Sequence, residues 1–389
     1  MDAAVETSLL RSRDGQARVT YVELFFDLVF VFAITQLSHA LLADLTPLGA
    51  LRTLVLFLAV WWAWVNTAWV TNWLDPDRGA TRLLLFVLMV CGMLAAMSIP
   101  HAYDRMGLVF ALAYVAVELS RSAFMVWASQ GNESLRRNFQ RILAWQAATA
   151  PFWLIGAAVE DTARLGAWVL ALGIWTAAPT IGFRVPGLGR STTADWDVDG
   201  GHLAERCALF VIIALGESLL VTGATFGELE WTPGNAAAFL VALAGSIAMW
   251  WIYFHIGAER SAHHAEKTDD PGHLARLGYT YLHMPIVAGI VVAAVGDERV
   301  LHHPGGHAEP GDVATLLGAP ALYLAGLAAF KRLSAANLPL SHLAGLGLLA
   351  CLAVVGGWLS PLLLAALAAA TLVLVAAWEH VSLKGTRQA

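Results

Sequence analysis

Apolar residues in this chain neither alternate with polar ones nor mark a narrow stripe. They run on for about 20 residues at a time, the length a helix needs to cross the hydrocarbon core of a bilayer. Twelve such stretches can be drawn, near 22–43, 49–72, 80–99, 106–128, 139–159, 163–183, 203–225, 234–257, 275–296, 312–330, 338–357 and 360–380. The pattern predicts an all-α polytopic membrane protein with about twelve transmembrane helices. Between the last two stretches lie only Gly356, Gly357, Trp358, Leu359, Ser360 and Pro361, which predicts a tight helical hairpin, with a re-entrant pair as the alternative.

Charge supports that count. If the N-terminus is cytoplasmic, 18 of the 23 basic residues fall in inner segments, as the positive-inside rule requires. Arg52, Arg105, Arg164 and Arg299 fall on the outer side and Arg121 lies within a span. This places both termini in the cytoplasm and the chain in a cytoplasmic (inner) membrane. Residues 1–20 are polar and lack the apolar core and small-residue cleavage site of a secretory signal, so the first span is expected to be retained.

A stretch rich in Gly, Thr and Asp divides the chain. The expected organisation is a polar N-terminal segment (1–20), a first six-helix bundle (21–183), a cytoplasmic linker (184–201), a second six-helix bundle (202–381) and a short tail (382–389). The halves start alike. The run from Glu23 to Val29 aligns with that from Glu205 to Val211, and Trp61-Trp62-Ala-Trp64-Val-Asn66 aligns with Trp250-Trp251-Ile-Tyr253-Phe-His255. With an even number of spans in each, the two bundles are expected to form a parallel internal repeat related by an axis along the membrane normal.

Two motifs carry a resemblance. The run VELFFDLVFVFAITQLS in the first span, and ERCALFVIIALGESLLVTGA from Glu205 to Ala224, resemble the bacterial low temperature requirement protein A family. The resemblance implies a polytopic bacterial membrane protein, named for a cold-growth phenotype, with no settled substrate or reaction.

Composition agrees: 58% of the 389 residues are hydrophobic and 13% charged, too little polar surface for a soluble chain of this size. The net charge of -6 and the lack of any basic cluster beyond Arg136, Arg137 and Arg141 exclude nucleic acid as a partner. The lipid bilayer and an unidentified small solute or ion remain. Cys91, Cys207 and Cys351 stand singly in apolar spans and suggest neither a disulfide frame nor a zinc site.

The candidate chemistry lies in charges placed inside apolar spans, where each costs roughly 2.5–3.5 kcal/mol unless it faces protein or water. Glu23 and Asp27 are four apart, about 40° around a helix, and Ser38 shares their stripe. Glu23, Asp27, Asn66, Glu205, Arg206 and His255 fall on the inner side of their spans, and Glu118, Glu217 and His283 nearer the middle. Glu23 and Glu205 could instead pair with Arg206, Arg78 or Arg82 and only fix helix register. Glu118 and Arg121, three apart, are placed to neutralise each other. His283 precedes Pro285, which removes a backbone donor and can kink the ninth span. Trp62, Asn66, Trp69 and Trp73 form one stripe; interfacial anchoring explains Trp73, and either core packing or an aromatic-walled cavity explains the rest. The histidine-rich loops at His302, His303, His307 and Glu309, and at His263, His264 and Glu266, read as solvated rather than metal-binding. No cofactor motif is present.

These residues favour a secondary transporter or channel-like protein using intramembrane carboxylates, with proton coupling as one form, over an intramembrane enzyme or cofactor binder and over a membrane sensor or scaffold.

Overall fold

A chain in lipid must satisfy its backbone hydrogen bonds within itself, and long apolar runs do so as helices. A computed structural model describes residues 8–12, 18–192, 196–255, 271–335 and 339–386, and among them the only extended pairings are two isolated bridges, Leu10 with Leu74 and Val185 with Gly189. The long helices are α1 (Tyr21–Ala43), α2 (Pro47–Trp73), α3 (Gly79–Ser98), α4 (Gly107–Ala128), α5 (Glu133–Ala158), α6 (Asp161–Ala177), α7 (Gly200–Glu228), α8 (Pro233–Phe254), α9 (His283–His302), α10 (Pro310–Ala335), α11 (Leu340–Val355) and α12 (Pro361–Thr386). Among the described residues, 11 helices are long and apolar enough to cross a membrane. The long helix outside that set is α5, whose first turns carry Glu133, Arg136, Arg137, Asn138, Gln140 and Arg141. The coarser expectation, an all-helical multi-pass membrane protein in a lipid environment, holds.

Contacts divide the chain into two compact units, Met1–Arg206 with Asp269–His273, and Cys207–Thr268 with Leu274–Ala389. The division falls a few residues into α7.

In the first unit α1 packs on α2 and α3, α4 on α3 and α5, and α5 on α6. Sequence signals set the starts: Thr46 caps α2 by accepting from the Gly49 N–H at 3.0 Å with Pro47 following it, and Asn132 caps α5 by accepting from Leu135. Residues 8–12 are not a free polar tail. The Arg11 N–H donates to the Trp73 carbonyl at 2.7 Å, the Asp75 N–H donates to the Leu9 carbonyl at 2.8 Å, and the Arg11 guanidinium caps the end of α2 through the carbonyls of Thr71 and Leu74. The segment before α7 is anchored as well. Arg141 donates to the Leu188 carbonyl at 2.9 and 2.6 Å, and Trp196 packs against Trp69, Trp73, Phe139 and Phe183. Trp73, expected at an interface, is 5% exposed and belongs to this buried cluster, with its indole N–H on the Asp197 carbonyl.

Arg164 does similar work at the other end of this unit. Buried at 6% exposure, it donates to the carbonyls of Gly156 and Val159 at the end of α5 and of Ala102 and Asp104 in the turn before α4. Arg164→Ala is expected to lower stability by about 2 kcal/mol by orphaning these carbonyls. Thermal unfolding of the purified variant checks it; an unchanged midpoint would mean water satisfies them.

In the second unit α8 packs on α12, α9 on α10, and α10 on α11 and α12. Glycines let α9 and α10 approach backbone to backbone. A Cβ at Gly289 would lie 2.8 Å from the Ala319 oxygen and 2.9 Å from the Tyr323 nitrogen, and one at Gly326 would lie 2.8 Å from Ile286. Small residues at such seams are how helices associate in lipid, where apolar burial gives no advantage. Before α9 the backbone widens into a π-helix, Ala275–Leu282, in the turn preceding Pro285, which has no N–H to give.

Candidate functional site

The first unit gathers most of the predicted residues into two buried networks. In the first, α1 and the opening turns of α7 lie alongside in matched register. Glu23 meets His202, with 2.9 Å between the carboxylate Oε1 and Nε2, and Asp27 meets Arg206, with 2.7 Å between Oδ1 and Nη2; all four side chains have 0% exposure. Both pairs have the same sequence separation, 179 residues, so each helix contributes two groups one turn apart.

Glu23 is fully engaged. Its Oε2 accepts from the Thr20 N–H and hydroxyl at 2.8 and 2.9 Å, closing the N-terminus of α1, and from Arg11 Nη2 at 3.0 Å. The His202 tautomer follows from its neighbours. Asn72 Oδ1 accepts from the Asp199 N–H at 3.0 Å, which orients the amide so that Nδ2 faces His202 Nδ1 at 3.3 Å. Nδ1 therefore accepts, and Nε2–H donates to Glu23: the ring is the neutral Nε2–H form. The expected alternative partners of Glu23 are not used, since Arg206 is paired with Asp27, Arg78 with Asp75 and Arg82 with Asp77.

Asp27 and Arg206 form a charged pair with capacity to spare. Asp27 Oδ1 takes both the Arg206 N–H and the Trp64 indole N–H, the latter at 2.8 Å, and the guanidinium carbon sits 5.9 Å from the Trp64 ring centre. Asp27 Oδ2 and Arg206 Nε and Nη1 are buried with no hydrogen-bond partner among the described residues. Buried polar groups are almost always satisfied, so these open positions, like those at Glu118 Oε1, Arg121 Nη2 and Gln146 Oε1, are places that water or a ligand can occupy.

The second network joins Glu118, Arg121 and Asn66. Arg121 Nη2 lies 2.7 Å from Glu118 Oε1, the ion pair their spacing predicts, and Arg121 Nη1 donates to the Ala63 carbonyl and the Thr67 hydroxyl. Glu118 Oε2 accepts from Gln146 at 2.7 Å and from Asn66 at 3.3 Å. A cavity of about 10 Å³, room for one water, is bounded here by Tyr114, Glu118, Gln146, Trp153 and Trp175. The aromatic stripe of α2 is mostly core: Trp62 packs edge-on to Trp175 and Trp69 packs on Trp73.

The remaining candidates stand apart from these networks. Glu205 is exposed and accepts from the Val19 N–H at 3.3 Å. Glu217 is half-buried on α7 in the second unit. His255 is exposed at the end of α8, its Nε2 2.7 Å from His380 Nδ1 and its ring stacked on Trp251. His283 is 1% exposed with both nitrogens committed, Nδ1 donating to the Gly278 carbonyl at 2.8 Å and Nε2 accepting from the Tyr253 hydroxyl at 2.9 Å. The members of the proposed repeat pairs thus differ in setting: Glu23 is buried and Glu205 exposed, Asn66 bonds to Glu118 and His255 to a histidine. Among the described residues no three His, Cys, Asp or Glu side chains converge as metal ligands. His263, His264 and Glu266 lie outside the described residues.

His202, Arg11 and Trp64 were absent from the sequence-derived set, although His202 and Arg206 have the same four-residue spacing that singled out Glu23 and Asp27. A largely buried triad in the second unit, with only His342 fully enclosed, was also absent. Lys331 Nζ donates to both oxygens of Glu379 at 2.7 and 2.8 Å and lies 3.3 Å from Nε2 of the buried His342.

These features define a multi-pass helical membrane protein that keeps ionised pairs inside its helical packing. The chain matches the family model described as bacterial low temperature requirement A protein (LtrA) over residues 18–377. It belongs to that family, as its first-span motif suggested. An uncharacterized protein of Rhizobium meliloti (strain 1021) is 42% identical over 383 residues, spanning 98% of this chain and 93% of that protein. No solved structure matches.

Proposed function

We propose that the protein is a secondary transporter or channel-like protein of the bacterial inner membrane, moving a small polar solute or ion past the Asp27–Arg206 pair. The observation that carries this reading is the open capacity at that pair, a free carboxylate oxygen beside uncommitted guanidinium N–H groups. A bond made only to hold two helices has no use for open positions in a region where lipid can fill none of them. A solute with an acceptor group would take the Arg206 donors, and weakening of the pair would let Asp27 accept a proton, coupling the two events.

The rival reading, an intramembrane enzyme, draws on Glu23, His202 and Arg11, which lie within hydrogen-bond reach of one another. Both histidine nitrogens are already committed, Nε2 to Glu23 and Nδ1 to Asn72. The arrangement supports a structural latch better than a reaction centre.

The test uses purified protein in proteoliposomes with an imposed proton gradient. Wild-type vesicles are expected to alkalinise their acidic side when a transported solute is supplied from a panel of small polar compounds. Asp27→Glu, which keeps the charge and shifts the oxygens, is expected to retain folding and slow that flux at least tenfold. Flux unchanged in a folded Asp27→Glu variant would remove the pair from the transport path.

A further inference from the structure

The second unit holds a cavity of about 50 Å³ where α8, α9, α10 and α12 meet. Most of its wall is Ala, Gly, Val, Leu and Met, but Asp297, Ser246 and Thr315 also line it. Asp297 lies within the apolar segment Ala275–His302, and no described residue donates a hydrogen bond to its carboxylate or forms an ion pair with it. The nearest basic residue along the helix, Arg299, is two positions on and therefore about 200° around it; it is bound to Asp312 and Glu309 instead. Asp297 is half-buried, and a carboxylate that lines an otherwise apolar cavity without a protein counter-charge is stabilised by a cation that enters the cavity.

The other groups on the wall say what that is. Thr315 donates its hydroxyl hydrogen to the carbonyls of Gly311 and Asp312 at 2.9 and 3.3 Å, which leaves its oxygen lone pairs available as acceptors. Pro320, inside α10, has no N–H, so the carbonyl four residues earlier, that of Leu316, loses its helical donor. Leu316 and Pro320 both line the cavity. Carboxylate, hydroxyl and freed carbonyl oxygens are hard ligands, and carbonyls released at helix breaks coordinate alkali ions in other membrane proteins. One carboxylate balances one positive charge, while a divalent ion would leave a net charge in apolar surroundings.

We propose that Asp297, with the hydroxyls of Ser246 and Thr315 and the Leu316 carbonyl, binds a small monovalent cation of the sodium type. The site lies in the second unit and its occupancy is read without any gradient, so it stands whether or not the transport reading does.

The experiment follows thermal unfolding of the full chain in detergent while sodium chloride replaces N-methylglucamine chloride at constant ionic strength and pH. Sodium is expected to raise the midpoint saturably, by roughly 5 °C. Asp297→Asn is expected to abolish the response and to raise the sodium-free midpoint, because the uncompensated charge is gone. Ser246→Ala and Thr315→Val are expected to raise the half-saturating sodium concentration at least fivefold, and they keep the site testable if Asp297→Asn does not fold. Equal midpoints in the two salts, a sodium response that survives in Asp297→Asn, or unchanged half-saturation in both hydroxyl variants would overturn the site. So would a midpoint that rises on acidification alone and ignores sodium, since that identifies a bare protonated carboxyl.

Discussion

Arg206→Ala is expected to destabilise the first unit by about 3–5 kcal/mol, because it leaves the Asp27 carboxylate buried without a counter-charge. Both side chains have 0% exposure, so bulk solvent does not supply the counter-charge Arg206 gives up, and the Trp64 N–H alone offsets only part of the loss. Asp27→Asn should cost a similar amount for the converse reason, with the guanidinium stranded. The informative measurement is the double variant Asp27→Asn/Arg206→Gln. With neither charge present the penalty for a lone ion disappears, and the double variant is expected to unfold nearer to wild type than either single one. Additive losses in chemical or thermal unfolding would mean the pair is not coupled and the two residues act through separate contacts.

The second large effect is expected at the seam of α9 and α10. Gly289→Leu should cost about 3 kcal/mol or more, since the atoms a side chain meets there are the backbone oxygen of Ala319 and nitrogen of Tyr323, which no rotamer change moves aside. A Cβ added at Gly318, on α10, would meet nothing within 4 Å, so Gly318→Ala is expected to be neutral or slightly stabilising. Comparing the two in detergent-solubilised protein separates close approach from any general aversion to substitution. Equal midpoints for both would show that α9 and α10 can move apart at little cost.

Much of this architecture was legible in the sequence, because a bilayer imposes one length scale on every span and the chain obeys it. The Glu118–Arg121 pair was legible too, since both ends lie on one helix and spacing alone decides whether they meet. Partners on different helices were not. Nothing in the run around Asp27 says that Arg206 rather than Arg78 or Arg82 lies opposite.

A second kind of miss has a common cause. His202, Asp297 and Lys331 each lie one residue outside an apolar stretch as drawn, at 203–225, 275–296 and 312–330. The polar residue itself ended the stretch, so these groups fell outside the spans searched for candidate chemistry. The helices run on past all three, and a hydropathy boundary in such a protein is therefore better read as a place to look for a polar group held within the helical packing.

The matched pairs between α1 and α7 also set a scale for movement. Sliding the start of α7 along α1 by one turn, about 5.4 Å, would carry Arg206 from Asp27 to Glu23 and leave Asp27 without its counter-charge. Intermediate displacements satisfy neither pair. Pairs spaced one turn apart favour discrete positions over a continuum, like a detent, and because the shifted position would strand a charged Asp27, protonation of that carboxyl would be expected to release a mechanical stop.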